Sequence, residues 1–291
     1  MLRSPRLLIA VAAAVAVVVA VSIVLLTRST DAPADPDRKV ISPAGEGEKH
    51  THVRLIGDGT TPTAGGYRLA EVTFPKRSRE IGDLTFKILD PQGAVVTDYV
   101  EEQTKLLHLY VVRDDLVDFR HLHPVLGDDG VWRARVDVAD PGRYRVIAEF
   151  APTALTDGSQ VVLGTHAVVE GTPPPAGPAP ESTGSDGLVT LTGPETLPAG
   201  QDSRFEIGVS DGADGVLNLG TYLGSYAHLT GFDVETGAFV HAHPLGAPTA
   251  TDRGSDLTFH TSFDVPGTYR LFVQVRVDGF VHTVPLSVIV R

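Results

Sequence analysis

The chain of 291 residues has no cysteine, and its one methionine is the initiator. That absence excludes structural disulfides, thiolate zinc sites, a cysteine-ligated copper centre and a lipidated-cysteine anchor. Basic residues are scarce beside acidic ones, 24 Lys+Arg against 36 Asp+Glu, for a formal net charge of −12. Nucleic acid is therefore an unsuitable partner, because phosphate backbones are held by grouped lysine and arginine. Beyond residue 26 no stretch keeps a 3.6-residue apolar period over three turns, so helices are not expected there. Ser–His–Asp, glycine-rich phosphate and H-E-x-x-H arrangements are missing too, and the reading is of a protein that is not an enzyme.

The one long apolar run is "LLIAVAAAVAVVVAVSIVLL" at residues 7–26, uncharged and interrupted only by Ser22. At 1.5 Å per residue a helix of this length spans roughly 30 Å, the hydrocarbon thickness of a bilayer. A cleaved signal peptide has a shorter apolar region, of about 7–15 residues, ending at a small-residue site. The following "LLTRSTDAPA" offers no such site. Residues 7–26 are thus expected to be an uncleaved anchor. Arg3 and Arg6 favour a cytoplasmic N-terminus (1–6), making a single-pass protein of the cell membrane with its bulk outside the cytoplasm. Residues 27–49, polar and rich in Pro, Asp and Gly, read as a disordered stalk.

A second break, "GTPPPAGPAPESTGSDG" at 171–187, carries five prolines and reads as a linker. It separates two blocks, 50–170 and 188–291. Both consist of short runs rich in β-branched and aromatic residues, such as "KLLHLYVV" and "TYRLFVQVRV", parted by turn signals such as "DPQG" and "DDG". About seven strands per hundred residues indicate an all-β fold, two tandem immunoglobulin-like antiparallel sandwiches.

The blocks are copies of one unit. His108, His121, His123 and Pro124 recur as His228, His241, His243 and Pro244, in the same H-x12-H-x-H-P spacing. Downstream, "DPGRYRV" answers "VPGTYRL", and each leads to an Asp-Gly turn, Asp157-Gly158 and Asp278-Gly279. Residues i and i+2 of a strand share a face, so each H-x-H pair can offer two imidazoles to one ion. A hairpin would bring His108 or His228 alongside its pair, and three nitrogens could converge at about 2.0–2.1 Å from a metal. Cu(II) or Zn(II) suits imidazole without sulfur. The structural alternative is that buried imidazoles bond backbone carbonyls and fix a turn in each copy.

Two more histidines lie in the last strands. Counted from the Asp-Gly turns, His282 and His166 fall on opposite parities, so His282 is a candidate fourth ligand and His166 one only if Gly164 forms a bulge. On that count the second block would bind metal more tightly than the first. His50 and His52 have no counterpart in the repeat, and His260 reads as an ordinary strand residue.

The elements "KLLHLYVVRDDLVDFRHLHP", "TYLGSYAHL", "FVHAHP" and "GTYRLFVQVRVDGFVHTV" resemble a group of bacterial membrane-anchored or secreted proteins with paired "H-L-H-P" sandwich domains, described as heavy-metal-binding. The resemblance covers most of residues 65–291 and implies the same fold and histidine constellation.

Three expectations follow. The first is a membrane-tethered protein that captures or buffers Cu(II) or Zn(II), with a metal transporter or other envelope protein as partner. The second is an adhesion or docking module with structural histidines. The third is a metalloenzyme like copper–zinc superoxide dismutase, weakened by the lack of that family's cysteines and of a clear bridging-histidine and aspartate set.

Overall fold

The computed structural model describes residues 53–175, 179, 181–213 and 215–291. The expected N-terminus, anchor and stalk, with His50 and His52, lie outside the described residues. Among the described residues no helix is long and apolar enough to cross a membrane. Residues Ser42–Arg291 group as one compact unit, and all its regular structure described is β.

The first repeat runs β1 (Leu55–Ile56), β2 (Thr63–Ala64), β3 (Tyr67–Thr73), β4 (Ile81–Leu89), β5 (Tyr99–Val100) and β6 (Leu107–Arg113). It continues with β7 (Arg120–Leu122), β8 (Val125–Leu126), β9 (Trp132–Asp137), β10 (Gly142–Pro152) and β11 (Gln160–Val169). One sheet has the order β1-β11-β10-β6-β7 with β5 added on β10; the other has β2-β3-β4-β9-β8. Alternate residues of the two sheets meet in a core, Leu84, Phe86 and Trp132 from one and Leu109, Val146 and Leu163 from the other. Each such side chain contributes about 1.5–3 kcal/mol through burial.

The second repeat runs β12 (Thr183–Ser185), β13 (Thr190–Thr192), β14 (Thr196–Leu197), β15 (Asp202–Ser210), β16 (Leu219–Gly220) and β17 (Ala227–Asp233). Then come β18 (Phe239–Pro244), β19 (Thr249–Thr251), β20 (Gly254–Ser262), β21 (Gly267–Val277) and β22 (Phe280–Val290). Residues 183–185, read as linker, are thus drawn into a strand that pairs with β13. Strand β18 joins both layers: His241 and Ala242 pair with β17, while His243 and Pro244 pair with β20. In the first repeat the same passage is broken at His123-Pro124 into β7 on one sheet and β8 on the other. The H-x-H-P segment is therefore the point where the chain changes layers, and proline suits it because it cannot continue a ladder from its nitrogen.

Both repeats carry a hallmark of immunoglobulin-like sandwiches, a tyrosine bonding back to a carbonyl a few residues upstream. Tyr144 Oη donates to Asp140 O at 2.7 Å, and Tyr269 Oη donates to Val265 O at 2.9 Å. These are the tyrosines of "DPGRYRV" and "VPGTYRL".

Every residue of β6 and of β17 is buried. A strand in an open sandwich buries one face only, so a full run of buried residues means that both faces are covered. In β6, Leu107, Leu109 and Val111 enter the core of their own repeat, while Tyr110 and Val112 enter a third cluster. That cluster combines Tyr110, Val112, Phe119, Ile147 and Val162 with Phe232, Phe239 and Phe272 of the second repeat. The outer faces of the β6/β10 and β17/β21 sheets are packed against each other. Arg145 Nη1 to Thr236 O at 2.9 Å and Phe239 N to Asp58 O at 2.8 Å add polar contacts across the junction.

Candidate metal centre

Backbone register places the site. His108 is opposite Glu149 and Tyr110 is opposite both His121 and Ile147. In the second repeat His228 is opposite Gln274, and Thr230 is opposite His241 and Phe272. The outer faces therefore carry equivalent rows, His108–Glu149 and His228–Gln274, and packing of the two faces brings the rows together.

Histidines expected to form two separate sites, His108, His121 and His123 of the first with His228 and His241 of the second, converge in one cluster. Within the first repeat the ring centroids of His108 and His121 are 5.2 Å apart, and those of His121 and His123 are 4.7 Å apart. Across the junction His121 lies 4.6 Å from His228, and His108 lies 5.5 Å from it. His228 and His241 are 4.4 Å apart. One nitrogen each from His108, His121 and His228 fall within 4.8 Å of one another, close enough for this group to hold a metal ion. The side chain of His243 lies outside the described residues; its backbone is opposite His260.

Each repeat orients a histidine of the other. Gln274 Oε1 is 2.7 Å from His121 Nδ1, and Glu149 Oε1 is 2.8 Å from His241 Nδ1. Tyr110 Oη donates to Glu149 Oε2 at 2.9 Å and lies 3.3 Å from His228 Nε2. With its proton given to Glu149, Tyr110 accepts from His228 Nε2, which leaves the lone pair of that ring on Nδ1. Such outer partners fix the tautomer and the ring plane of a metal-ligating histidine.

Proton placement along the line Gln274–His121–His108–Glu102 is constrained at the Glu102 end and follows the Gln274 amide at the other. In one amide orientation Gln274 Nε2 donates to Thr283 Oγ1 at 3.1 Å and Oε1 faces His121; the threonine hydroxyl would serve the turned amide equally, as a donor to its oxygen. In the first orientation His121 Nδ1 carries the proton and Nε2 the lone pair. At the other end His108 Nε2 lies 3.1 Å from the Glu102 carbonyl, which can only accept, so the His108 lone pair sits on Nδ1. With Gln274 Oε1 on His121, the two lone pairs face each other at 3.0 Å. Such a contact calls for a positive charge between the rings.

A proton is a poor candidate for that charge. Burial, opposed in part by Glu149, holds His108 below the usual imidazole range. Burial and then the neighbouring histidines hold His121 well below it. A metal ion fits better, since tetrahedral ligands at 2.0–2.1 Å stand about 3.3 Å apart, near the observed separation. His123 Nε2 is buried and has no hydrogen-bond partner among the described residues. Burial, then His108 and Lys105, push His123 down to about 4, so it too presents a neutral nitrogen.

Glu149 is buried at 2% exposure and supplies negative charge beside the rings. Burial alone would raise its carboxyl, but His241, His108 and the Tyr110 hydroxyl outweigh that and hold it below the ordinary range. Burial and then the Glu149 charge keep Tyr110 protonated as a donor. A crevice of ≈ 10 Å³ lined by Glu102, Lys105, His108, Glu149 and His241 adjoins the cluster. That is room for an ion or a water, too little for an organic substrate.

His282 and His166 stand apart from the cluster. The register of β21 with β22 is unbroken, and it sets Thr283 rather than His282 opposite Gln274. His282 Nδ1 instead lies 2.7 Å from Asp186 Oδ2. The register of β10 with β11 is unbroken as well, with Gly164 opposite Ile147, so no bulge forms there. Gly164 is needed because the Gly59 backbone passes where a side chain would stand. His166 is opposite Arg145, and its Nε2 lies 3.5 Å from Asp114 Oδ1.

Sequence reasoning missed Tyr110, Glu149 and Gln274. A signal was present for two of them: Glu149 and Gln274 are each flanked by apolar residues in a strand run, "VIAEFA" and "LFVQV".

Comparison with known proteins adds little chemistry. Residues 182–291 match DUF8832, a domain of unknown function. No curated protein matches in sequence. Among solved structures, a Salmonella alpha-2-macroglobulin is similar at 14% identity and a TM-score of 0.27, covering 80% of this chain and 15% of its own. A titin fragment is similar at 12% identity and a TM-score of 0.20, over 76% of this chain and 96% of its own. Invasin, a bacterial integrin-binding protein, gives 16% identity and a TM-score of 0.21, over 76% and 38%. The chain thus spans a small part of the macroglobulin it matches, and the immunoglobulin-like assignment rests on strand order and the two tyrosine contacts.

Proposed function

We propose that this is a metal-binding protein, held on the outer side of the cell membrane by residues 7–26, that captures or buffers Cu(II) or Zn(II). The close approach of His108 Nδ1 and His121 Nε2 supports the reading most directly: with Gln274 Oε1 on His121 and the Glu102 carbonyl on His108, two lone pairs face each other, and burial disfavours a proton between them. The donors are imidazoles with no sulfur in the chain, which suits Cu(II) and Zn(II) over Cu(I). A metal transporter or other envelope protein is the partner this role implies, and binding without turnover is the activity. Calorimetric titration of the purified chain with each ion tests it, and a dissociation constant weaker than about 10 µM for both would overturn it.

The docking-module reading has one observation in its favour. If the Gln274 amide is turned over, Nε2 donates to His121, His121 donates to His108, and His108 donates to Glu102, so the whole line is satisfied without an ion. Gln274→Glu separates the two, since a carboxylate can only accept at both oxygens. Metal binding retained or tightened favours the ion; loss of stability with no metal response favours the structural network.

A further inference from the structure

We infer that the chain holds one metal ion between its two repeats, with imidazoles from both, and that this ion clamps the repeats together. The inference rests on the metal-binding reading above and adds its stoichiometry and its mechanical consequence.

The closest metal-capable group mixes the repeats: His108 and His121 come from the first and His228 from the second. Ring separations across the junction, 4.6 Å for His121 with His228 and 5.5 Å for His108 with His228, bracket the 5.2 Å between His108 and His121 inside one repeat. No boundary divides the cluster into two triads.

Charge also favours a single ion. Among the described residues, Glu149 is the one acidic side chain that hydrogen-bonds a histidine of the cluster, through His241. One divalent ion beside that carboxylate leaves a net charge of +1, whereas two would leave +3 in a site whose side chains are largely shielded from water. Uncompensated buried charge is costly, and the second ion would lack an anion.

Orientation is crossed. Gln274 of the second repeat holds His121 of the first, and Glu149 of the first holds His241 of the second. Neither histidine set is held in place by its own repeat alone. A ligand that binds the docked arrangement and not the separated one stabilises docking by mass action.

The test is a titration of the full chain with Zn²⁺ alone and with Cu²⁺ alone, repeated for His121→Ala, His228→Ala and the double variant. One equivalent should bind. Each single change should weaken that same site by at least about tenfold, and the double should do little more than either. Two equivalents, one lost with each substitution, would overturn the shared site while leaving the metal-binding reading intact. No binding at all would overturn both.

Phe119→Asp provides a second measurement, because Phe119 stacks on Phe272 at 4.2 Å across the junction and offers no ligand atom itself. It should weaken metal binding by at least about tenfold, with added metal restoring its docked compactness in small-angle scattering. Unchanged affinity would overturn the clamp. The single Cu(II) paramagnetic resonance spectrum should change with both His121→Ala and His228→Ala; a spectrum altered by one and indifferent to the other would also overturn it.

Discussion

At one end of the junction between the repeats, Phe119, Phe232 and Phe272 meet ring to ring; at the other, His108, His121, His228 and His241 do. The same strands build both ends. Strand β6 gives Val112 to the first and His108 to the second, β17 gives Phe232 and His228, and β21 gives Phe272 and Gln274. The aromatic end removes apolar area from water and stabilises docking. The histidine end buries polar groups, each costing about 1–3 kcal/mol where it lacks a partner. Docking alone would be served better by apolar side chains throughout. The polar end is the part of the junction that calls for a ligand.

The largest effect that sharpens this contrast should come from the aromatic end. Phe272→Ala should destabilise the metal-free protein by about 3–5 kcal/mol, read from denaturant midpoints. A change near zero would mean that the junction contributes nothing to stability. Glu149→Gln at the polar end should cost about 2–3 kcal/mol without metal, because an amide cannot accept from both His241 and Tyr110. It should also weaken metal binding at least tenfold, because the acceptor that orients His241 is lost.

Acid should act on the histidine end first. His123 titrates near 4 in the folded protein and near 6.5 when unfolded, so the unfolded chain binds more protons between those values. Its contribution is complete above about pH 6.5, declines as pH falls, and is gone below about pH 4. After allowance for its partial exposure, His123 alone should account for roughly 1–2 kcal/mol, with His108 and His121 adding in the same direction. Metal-free stability that is flat from pH 7 to pH 4 would contradict this, and bound metal should shift the decline to lower pH.

The smallest effects should come from the histidines outside the junction. His166→Ala and His282→Ala each remove an acid contact at the edge of a repeat, and each should change stability by about 0.5 kcal/mol or less. Metal affinity should not move with either. A loss of affinity in His282→Ala would mean that the register of β22 is not the one described.

Much of this molecule was legible in local pattern. Strand runs, turn signals and the spacing shared by the two histidine sets are properties of short segments, and they gave the sandwich class and the duplication. Parity counting along the last strands did place His166 and His282 on opposite faces, since Val162 and Thr283, each four residues past its Asp-Gly turn, stand opposite Glu149 and Gln274, but it could not tell which face meets the ligands.

By itself the sequence determined which residues could ligate and which chemistry was closed: imidazole without thiolate, in two copies of one fold. That alternation turns His108 and His228 away from the cores that take Leu109 and Leu229 is seen in the structure and was not read from the sequence. The sequence could not say what covers that outer face, since a face open to water and one packed on another domain can begin from the same pattern. Tertiary structure decided that the two outer faces cover each other. The physical reason is the aromatic half of each face, Phe119 against Phe272, whose burial draws the histidine halves together and lets Glu149 and Gln274 each reach a ring of the opposite repeat.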